Sequence, residues 1–350
     1  MTPQNRRYER ICRRNFLAAI GAASISLTLS DTPVFAARKS SGKTLRGIFP
    51  IAQTPFTEAN KLDIDSLVEQ VRFIDRGKVH GFVWPQLASE WSTLNESERM
   101  QGAEAIMSAG RDLRPAIVIG VQASDIATAV RYAKNAETGG ADAIISLPPE
   151  NKDPHAIFDY YKQIGQATEL PLFVQAVGNM SVDLLLEMYK AIPTLRYVKD
   201  EAGQPLMRIS ELRSRSSDEL KVFTGGHGRT LIDEMIRGFS GSMPAASFAD
   251  VYASAWDLWH EGKQEEAVRT FGNAALLINE IGAYGLESMK YILCLRGIFK
   301  TYRTRETEKI AAPSAASLAS GNANSRASLD EESKRVLRKI LDLMKTSLRA

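Results

Sequence analysis

The chain has 350 residues, of which 44% are hydrophobic and 24% are charged, and its formal net charge is +3. This composition fits a globular protein with a large core, either one α/β domain or a domain with an appendage. No basic stripe interleaved with aromatic residues occurs in the body of the sequence, which argues against nucleic acid as a partner. The two cysteines, Cys12 and Cys294, indicate no disulfide framework.

The first 36 residues have the pattern of an export signal. A basic stretch ends in Arg13-Arg14, a Phe-Leu pair follows, and an apolar, alanine-rich run occupies 18–29. Paired arginines before Phe-Leu resemble a twin-arginine signal, and the apolar run is too short to span a bilayer. The sequence therefore predicts cleavage near Ala36 and delivery to the periplasm or outside the cell, with no membrane attachment afterwards.

From residue 44 to residue 249, apolar strands alternate with amphipathic helices. Strands are predicted over 47–52, 81–84, 116–120, 143–147, 172–175, 195–199, 222–225 and 241–244. Helices are predicted over 65–76, 95–109, 126–138, 156–168, 182–192 and 231–238. Eight strands with such connections predict a (β/α)8 TIM barrel of the α/β class. A doubly wound sheet is the alternative, but no Gly-x-Gly-x-x-Gly follows the first strand.

The remainder of the chain, 250–350, is predicted to be a helical extension. Apolar residues recur at helical spacing over 250–261, 264–281 and 286–299, and a last amphipathic helix is predicted over 329–348. A stretch rich in Pro, Ala, Ser and Asn over 311–327 predicts a flexible surface connection. The extension either packs on the barrel or carries a subunit contact.

The sixth strand ends on a lysine, Lys199, in the run Tyr-Val-Lys-Asp-Glu-Ala-Gly. Barrels and open α/β sheets place their chemistry at strand ends. A buried lysine at such a position loses its proton more readily, and a free amine attacks ketones to form a Schiff base. A solvated lysine at the edge of a strand is the alternative interpretation.

Several segments in a fixed order resemble the dihydrodipicolinate synthase / N-acetylneuraminate lyase family. They are Gly47-Ile48 with Thr54-Pro55-Phe56, residues 94–99, Val198-Lys199-Asp200-Glu201-Ala202-Gly203, residues 238–242 and Leu295-Arg296-Gly297. The resemblance implies a barrel with a C-terminal helical extension, in which Lys199 forms a Schiff base with pyruvate or another 2-oxo acid. It also implies a small-molecule substrate, no cofactor, and a homo-oligomer such as a dimer or tetramer.

The loop after the second strand departs from the family pattern. The family usually has Gly-Thr-Thr-Gly-Glu, which holds the carboxylate of the 2-oxo acid, where this chain has Gln-Leu-Ala-Ser-Glu. Backbone amides need no particular side chain to bind a carboxylate, and a serine hydroxyl can assist them. We therefore predict Leu87, Ala88, Ser89 and Glu90 as substrate-binding residues.

Two positions that carry tyrosines in the family are also changed. Gln175 replaces the proton-relaying tyrosine of the fifth strand, and a neutral amide cannot act as a general acid or base. Pro149 and Glu150 replace the paired tyrosines after the fourth strand. We predict Gln175 and Glu150 as catalytic-site residues, with Glu150 as an acid–base group if it is partly buried; a solvated glutamate is the alternative.

Gly225, His227 and Ser242 complete the predicted site. Gly225 and His227 belong to a glycine-rich loop just beyond the seventh strand, and Ser242 lies on the eighth. All three are predicted to line the substrate pocket at the barrel mouth, with a surface position as the alternative for His227. The histidines show no metal-ligand spacing, so no metal is predicted.

Three functions fit these residues. The first is a Schiff-base lyase or aldolase acting on a pyruvate-like or sugar-derived 2-oxo acid. The second is a dehydratase on the same scaffold, also through Lys199, in which water leaves rather than a carbon fragment. The third is a barrel without catalysis that binds a small acid or sugar in the periplasm. The lost tyrosine and threonines favour the third function, whereas the retained lysine favours the first two.

Overall fold

The structure is a computed structural model that describes residues 42–151, 153–305 and 329–350. The predicted export signal over 1–36 and the predicted flexible connection over 311–327 lie outside the described residues. Within the described ranges, no helix combines the length and the apolar character needed to cross a membrane.

Eight parallel strands form one sheet that curls into a nearly closed barrel. In chain order they are β1 (Gly47–Ile48), β2 (Gly81–Trp84), β3 (Ala116–Gly120), β4 (Ala143–Ser146), β5 (Leu172–Ala176), β6 (Leu195–Asp200), β7 (Lys221–Thr224) and β8 (Gly241–Ser242). Each strand pairs with its sequence neighbour from β2 to β8, and β8 pairs with β1. A parallel bridge between Ile51 and Val83 joins the first and second strand segments. The predicted (β/α)8 TIM barrel is therefore confirmed.

Helices connect successive strands and cover the outside of the barrel. They are α1 (Ile64–Arg76), α2 (Glu96–Gly110), α3 (Ile126–Gly139), α4 (Pro154–Gln166), α5 (Val182–Ala191), α6 (Pro205–Arg215), α7 (Leu231–Ile236) and α8 (Ala249–His260). The side chain of Asn95 caps α2 in a capping box with Glu98, as the sequence predicts. The sequence pattern does not predict α6, because Ile209 and Leu212 are its only buried residues.

The C-terminal extension packs on the barrel. It contains α9 (Gln264–Tyr284), α10 (Leu286–Leu295) and α11 (Glu331–Leu343). Helix α8 contacts both β1 and α9, so it occupies the place of the eighth barrel helix and also supports the extension. After α10 the chain returns to the barrel, where the hydroxyl of Thr301 donates to the carbonyl of Phe56 at 2.8 Å.

The alternation of side chains along each strand decides which residues face the interior of the barrel. The interior is filled by Phe49, Ile51, Val83, Ala116, Val118, Ala143, Ile145, Phe173, Phe223 and Met243. Tyr197 packs against this cluster, and Phe173 belongs to it. Lys199 and Gln175 each lie two residues further along their strands, so they share the inward face and sit above the apolar layer.

Candidate active site

Lys199 lies at the C-terminal end of β6 and is 5% exposed. Its backbone is in register with Gln175 of β5 on one side and with Phe223 of β7 on the other. Its ammonium nitrogen lies 2.9 Å from the carboxylate of Glu201, which gives the buried charge a counterion. Asp200, between the two, faces the opposite side of the sheet and pairs with Arg208 at 2.8 Å. The lysine is therefore an inward-facing group, not a solvated strand end.

Glu201 is the centre of the site, and the sequence analysis did not identify it as a site residue. Besides Lys199, its carboxylate accepts hydrogen bonds from the side-chain amide of Gln175 at 2.6 Å and from the backbone amide of Gly226 at 3.1 Å. Burial raises the pKa of Glu201, but the charge of Lys199 and these hydrogen bonds outweigh burial and hold the pKa below its ordinary value. Glu201 is therefore an ionised carboxylate able to receive a proton from Lys199.

Gln175 orients Glu201 rather than exchanging protons. Its side-chain nitrogen is committed to the carboxylate. Its side-chain oxygen is buried and has no hydrogen-bond partner within residues 42–151, 153–305 and 329–350. An acceptor left in this state is costly unless another group donates to it. The amide oxygen is thus a position where a substrate hydroxyl can bind.

Gly225 is a glycine because Glu201 occupies the space beside it. A Cβ atom at position 225 would lie 1.8 Å from the Oε1 atom of Glu201, far inside van der Waals contact. The structure therefore brings Gly225 to the same place as Lys199 and Gln175, as predicted from the strand ends.

His227 occupies the apex of the loop after β7, with a left-handed φ of 58°. Burial lowers the pKa of His227 to about 4, although the nearby carboxylate of Glu201 acts in the opposite direction. The imidazole is therefore neutral near pH 7 and lies within electrostatic range of both Glu201 and Lys199. His227 is thus partly buried and lies near Lys199 and Glu201, which agrees with its predicted position at the barrel mouth.

A short 3₁₀ turn, Leu87–Ser89, follows β2 where the family's two threonines would lie. Leu87 is 44% exposed, and Ala88 packs against the interior cluster of the barrel. The first amides of a helical turn lack partners inside the turn, which suits the predicted carboxylate contact. Ser89 is buried, its hydroxyl donates to the carbonyl of Ala52 and accepts from the amide of Gln86, and it fixes the turn instead of facing the substrate.

Glu90 is directed away from the predicted substrate pocket. Its side chain is 0% exposed and forms an ion pair with Lys290 of α10, which is equally buried. Its other oxygen accepts from the backbone amide of Arg305 at 2.6 Å. Glu90 therefore joins the mouth of the barrel to the extension. The sequence predicted that Glu90 would contact the substrate, but its partners in the structure are protein groups.

Ser242 and Glu150 also differ from their predicted places. Met243 belongs to the interior cluster, so Ser242 faces outward, and its hydroxyl lies 3.4 Å from that of Thr224. Glu150 is exposed, so the burial that its acid–base role requires is absent. Both residues were predicted only from their position near a strand end. That position does not determine which face of the sheet a side chain takes.

A buried lysine beside a carboxylate at the end of a barrel strand is an arrangement that can form Schiff bases with carbonyl compounds. The model of the dihydrodipicolinate synthetase family matches residues 44–307. The chain belongs to this family, whose named members are synthases, lyases and dehydratases.

Similar curated proteins include two with different activities. The chain is 31% identical over 175 residues to 4-hydroxy-tetrahydrodipicolinate synthase of Rhizobium meliloti, an alignment that covers 48% of this chain and 59% of the synthase. It is 26% identical over 271 residues to L-2-keto-3-deoxyarabonate dehydratase of Azospirillum brasilense, covering 74% of this chain and 87% of the dehydratase.

Solved structures show the same fold. Dihydrodipicolinate synthase from Rhodopseudomonas palustris superposes with a TM-score of 0.73 at 22% identity, covering 85% of this chain and 97% of that one. N-acetylneuraminate lyase from Mycoplasma synoviae gives a TM-score of 0.71 at 19% identity, with coverages of 85% and 97%.

Proposed function

We propose that the protein is a Schiff-base dehydratase that removes water from a 2-oxo acid with a hydroxyl group two carbons from the ketone. Sugar-derived 2-oxo-3-deoxy acids have this arrangement. The observation that carries the proposal is the contact of 2.9 Å between the Lys199 ammonium and the Glu201 carboxylate. This contact supports Lys199 as the nucleophile and Glu201 as the proton carrier.

The first half of the reaction joins the substrate to Lys199. Glu201 takes a proton from the ammonium, and the free amine forms a bond to the ketone carbon. The amine proton moves to the former carbonyl oxygen, and Glu201 returns its proton to that oxygen as it leaves as water. A protonated imine and an ionised Glu201 result. The free amide oxygen of Gln175 suits the hydroxyl of the intermediate.

The second half removes the substrate's own hydroxyl. Glu201 takes a proton from the carbon next to the imine, and the electron pair forms an enamine. The same carboxyl group then gives this proton to the hydroxyl on the following carbon, and the carbon–oxygen bond breaks as water leaves. The enamine nitrogen supplies its electron pair to re-form the protonated imine, and the former enamine double bond shifts by one carbon to give a conjugated imine. Addition of one water to the conjugated imine releases the unsaturated 2-oxo acid and restores Lys199.

The nature of the proton carrier favours dehydration over aldol cleavage. A hydroxyl group leaves easily only when it is protonated, and a carboxyl group, with an ordinary pKa of about 4.3, is a far stronger donor than a phenol at about 10. Aldol cleavage instead needs a base that removes the hydroxyl proton, and a carboxylate whose pKa is held below its ordinary value is a weak base toward a hydroxyl group. The similarity to a keto-deoxyarabonate dehydratase, which extends over most of both chains, supports the same choice.

Product analysis tests the proposal. The purified protein is incubated with L-2-keto-3-deoxyarabonate and with related 2-oxo-3-deoxy acids, and the products are identified by mass spectrometry. We expect loss of one water with all carbons retained. Formation of pyruvate and an aldehyde would show that the reaction is aldol cleavage and would contradict the proposed dehydration. Absence of any conversion, together with tight binding, would favour the binding-protein function.

Changing Gly225 to alanine tests the placement of Glu201. The added Cβ would occupy the position of the Glu201 carboxylate, so the carboxylate must move away from Lys199. Because a displacement of ~1 Å can cost about 100-fold in rate, we expect borohydride trapping of pyruvate to slow by roughly that factor. Gly272→Ala is the control, because no atom of the described residues, apart from its chain neighbours and its own helix backbone, lies within 4 Å of the added Cβ. Equal trapping rates in the two variants would show that Glu201 does not need its present position.

We also propose that the protein is exported through the twin-arginine route. The support is the sequence pattern of Arg13-Arg14 before Phe-Leu and an apolar run. Replacing both arginines by lysine is expected to leave unprocessed precursor in the cytoplasm, measured by fractionation and the mass of the mature chain. Normal processing and delivery of this variant would contradict the proposal.

A further inference from the structure

The loop after β7, residues 225–229 (the β7 loop), forms one side of the candidate site. The amide of Gly226 donates to Glu201, and Gly225 leaves no space between the loop and that carboxylate. His227 lies at the loop apex. Movement of the β7 loop would therefore change the position of Glu201 relative to Lys199.

Glu234 of α7 holds both ends of the β7 loop. The hydroxyl of Thr224, just before the loop, donates to one carboxyl oxygen at 2.8 Å. The hydroxyl of Thr230, just after it, donates to the other oxygen at 2.7 Å. At the apex, the hydroxyl of Tyr252 donates to the carbonyl of His227. The loop is thus fixed at three points, two of which belong to a single carboxyl group.

This carboxyl group is 2% exposed, and its hydrogen-bond donors are hydroxyls rather than a cation. Burial raises the pKa of Glu234 to about 7, the two threonines act against burial, and the charge of Asp233 on the same helix raises the pKa further. Tyr252 of α8 is a further titratable group, among the residues that the structure describes, that faces Glu234. A neutral side chain of the same shape would avoid the cost of a buried charge, so the carboxyl group has a use besides packing.

We propose that Glu234 is a positioning residue that controls Glu201 through the β7 loop. As a carboxylate it accepts from both threonines and holds Gly226 against Glu201. As a carboxylic acid it carries a proton on one oxygen, which becomes a donor, so one threonine must turn or release its end of the loop. The inference rests on the Schiff-base half of the proposed function and is independent of which substrate bond breaks.

The ionisation of Glu234 has opposite effects on activity and on stability. Trapping by Lys199 is expected to rise as the pH passes upward through about 7, because the loop is then held at both ends. Folding stability is expected to fall as the pH rises from 4.5 to about 7, because the unfolded chain releases this proton near 4.5 and the folded chain keeps it to about 7.

The inference is tested with three variants: Glu234→Gln, Thr230→Val and Thr230→Ser. Two properties of each variant are measured at a pH below 7 and at a pH above 7. The first is the rate of pyruvate trapping by borohydride. The second, without substrate, is hydrogen exchange of the peptide that contains the β7 loop, corrected for the intrinsic effect of pH. We expect Glu234→Gln to trap ~10-fold more slowly than the parent above pH 7, the value of one hydrogen bond. In both readouts this variant should also lose the change that the parent shows near pH 7, where Glu234 ionises. Thr230→Val should resemble it, and Thr230→Ser, which keeps the hydroxyl, should resemble the parent.

Thermal unfolding of each variant separates a positioning effect from a loss of folding. If Glu234→Gln keeps the parent's pH dependence in loop exchange, Glu234 does not position the loop and the inference is wrong. If the parent traps no 2-oxo acid at all, the Schiff-base proposal fails, and the exchange measurement alone then decides the role of Glu234.

Discussion

Replacing Glu201 by glutamine is expected to slow borohydride trapping of 2-oxo acids by ~10²–10⁴-fold, the usual contribution of general acid–base catalysis. Glutamine keeps the shape of the side chain and can still accept from the amide of Gly226. It cannot take the proton of Lys199 or return a proton to the departing water. The measurement is the initial rate of irreversible label incorporation from pyruvate, read as intact mass.

Glu211→Gln is the matched control for this variant. Glu211 is an exposed glutamate of α6 that pairs with Arg215, so the same chemical change occurs away from the site. Glu201→Asp should fall between the two variants, because it keeps the proton carrier but moves it back by one carbon. If Glu201→Gln traps pyruvate as fast as Glu211→Gln, Glu201 does not transfer the proton during Schiff-base formation.

Replacing Lys290 by methionine is expected to lower the free energy of unfolding by about 3–5 kcal/mol, the cost of leaving one partner of a buried ion pair uncompensated. Lys290 and Glu90 are both 0% exposed. Burial lowers the pKa of Lys290 to about 8 even with the carboxylate beside it. The measurement is denaturant unfolding.

Two further variants test whether the buried ion pair causes this loss of folding stability. Lys300→Met removes a lysine that is 66% exposed and pairs with Asp63, and it should change stability by no more than ~1 kcal/mol. Adding Glu90→Gln to Lys290→Met should recover part of the loss, because the buried carboxylate that has lost its lysine is then replaced by a neutral amide. If Lys290→Met is as stable as Lys300→Met, the buried pair does not hold the extension on the barrel.

The fold could be predicted because each strand is short, apolar and followed by a connection of suitable length. Strands β2 and β3 agree with their predicted bounds, and the cap of α2 was visible as Asn95 followed by Glu98. Helix α6 was missed because it buries only two apolar side chains and its remaining residues carry no helical pattern of burial. The packing of the extension depends on pairs such as Glu90 with Lys290, which lie too far apart in sequence to be inferred from local pattern.

The sequence predicts the position of those site residues that the end of a strand and the direction of its backbone determine. Lys199, Gln175, Gly225 and His227 lie together around one carboxylate. Glu201 could have been found from the same signal, since alternate residues of a strand share a face and Lys199 points inward.

Side-chain partners explain the residues that were misplaced. Ser242 faces the helices because Met243 takes the interior, and Glu90 turns toward a lysine of the extension. Ser89 uses its hydroxyl to hold its own turn. In each case the sequence identified the correct strand end, and a contact with a residue distant in sequence determined the direction of the side chain.

Where the family has a tyrosine, this chain has Gln175, and the proton transfer that the tyrosine performs is proposed for Glu201. The glutamine supplies no proton, but its amide holds a carboxylate that can carry one. In the proposed mechanism the proton carrier is Glu201, which lies two residues after Lys199, and no longer a residue of the fifth strand. The proposed mechanism therefore keeps a Schiff base at Lys199 and uses a carboxyl group where the family uses tyrosine, which is a much weaker acid.

The central claim is that Lys199 is the nucleophile, and borohydride trapping followed by peptide mass mapping tests it most directly. The parent protein, Lys199→Ala and Lys221→Ala are treated with pyruvate and with L-2-keto-3-deoxyarabonate under reduction. Lys221 is the control because it lies on the neighbouring strand β7 and its side chain is exposed. We expect one adduct on the peptide containing residue 199 in the parent and in Lys221→Ala, and none in Lys199→Ala. Equal labelling of Lys199→Ala and the parent would show that another group reacts, and that Lys199 is not the nucleophile.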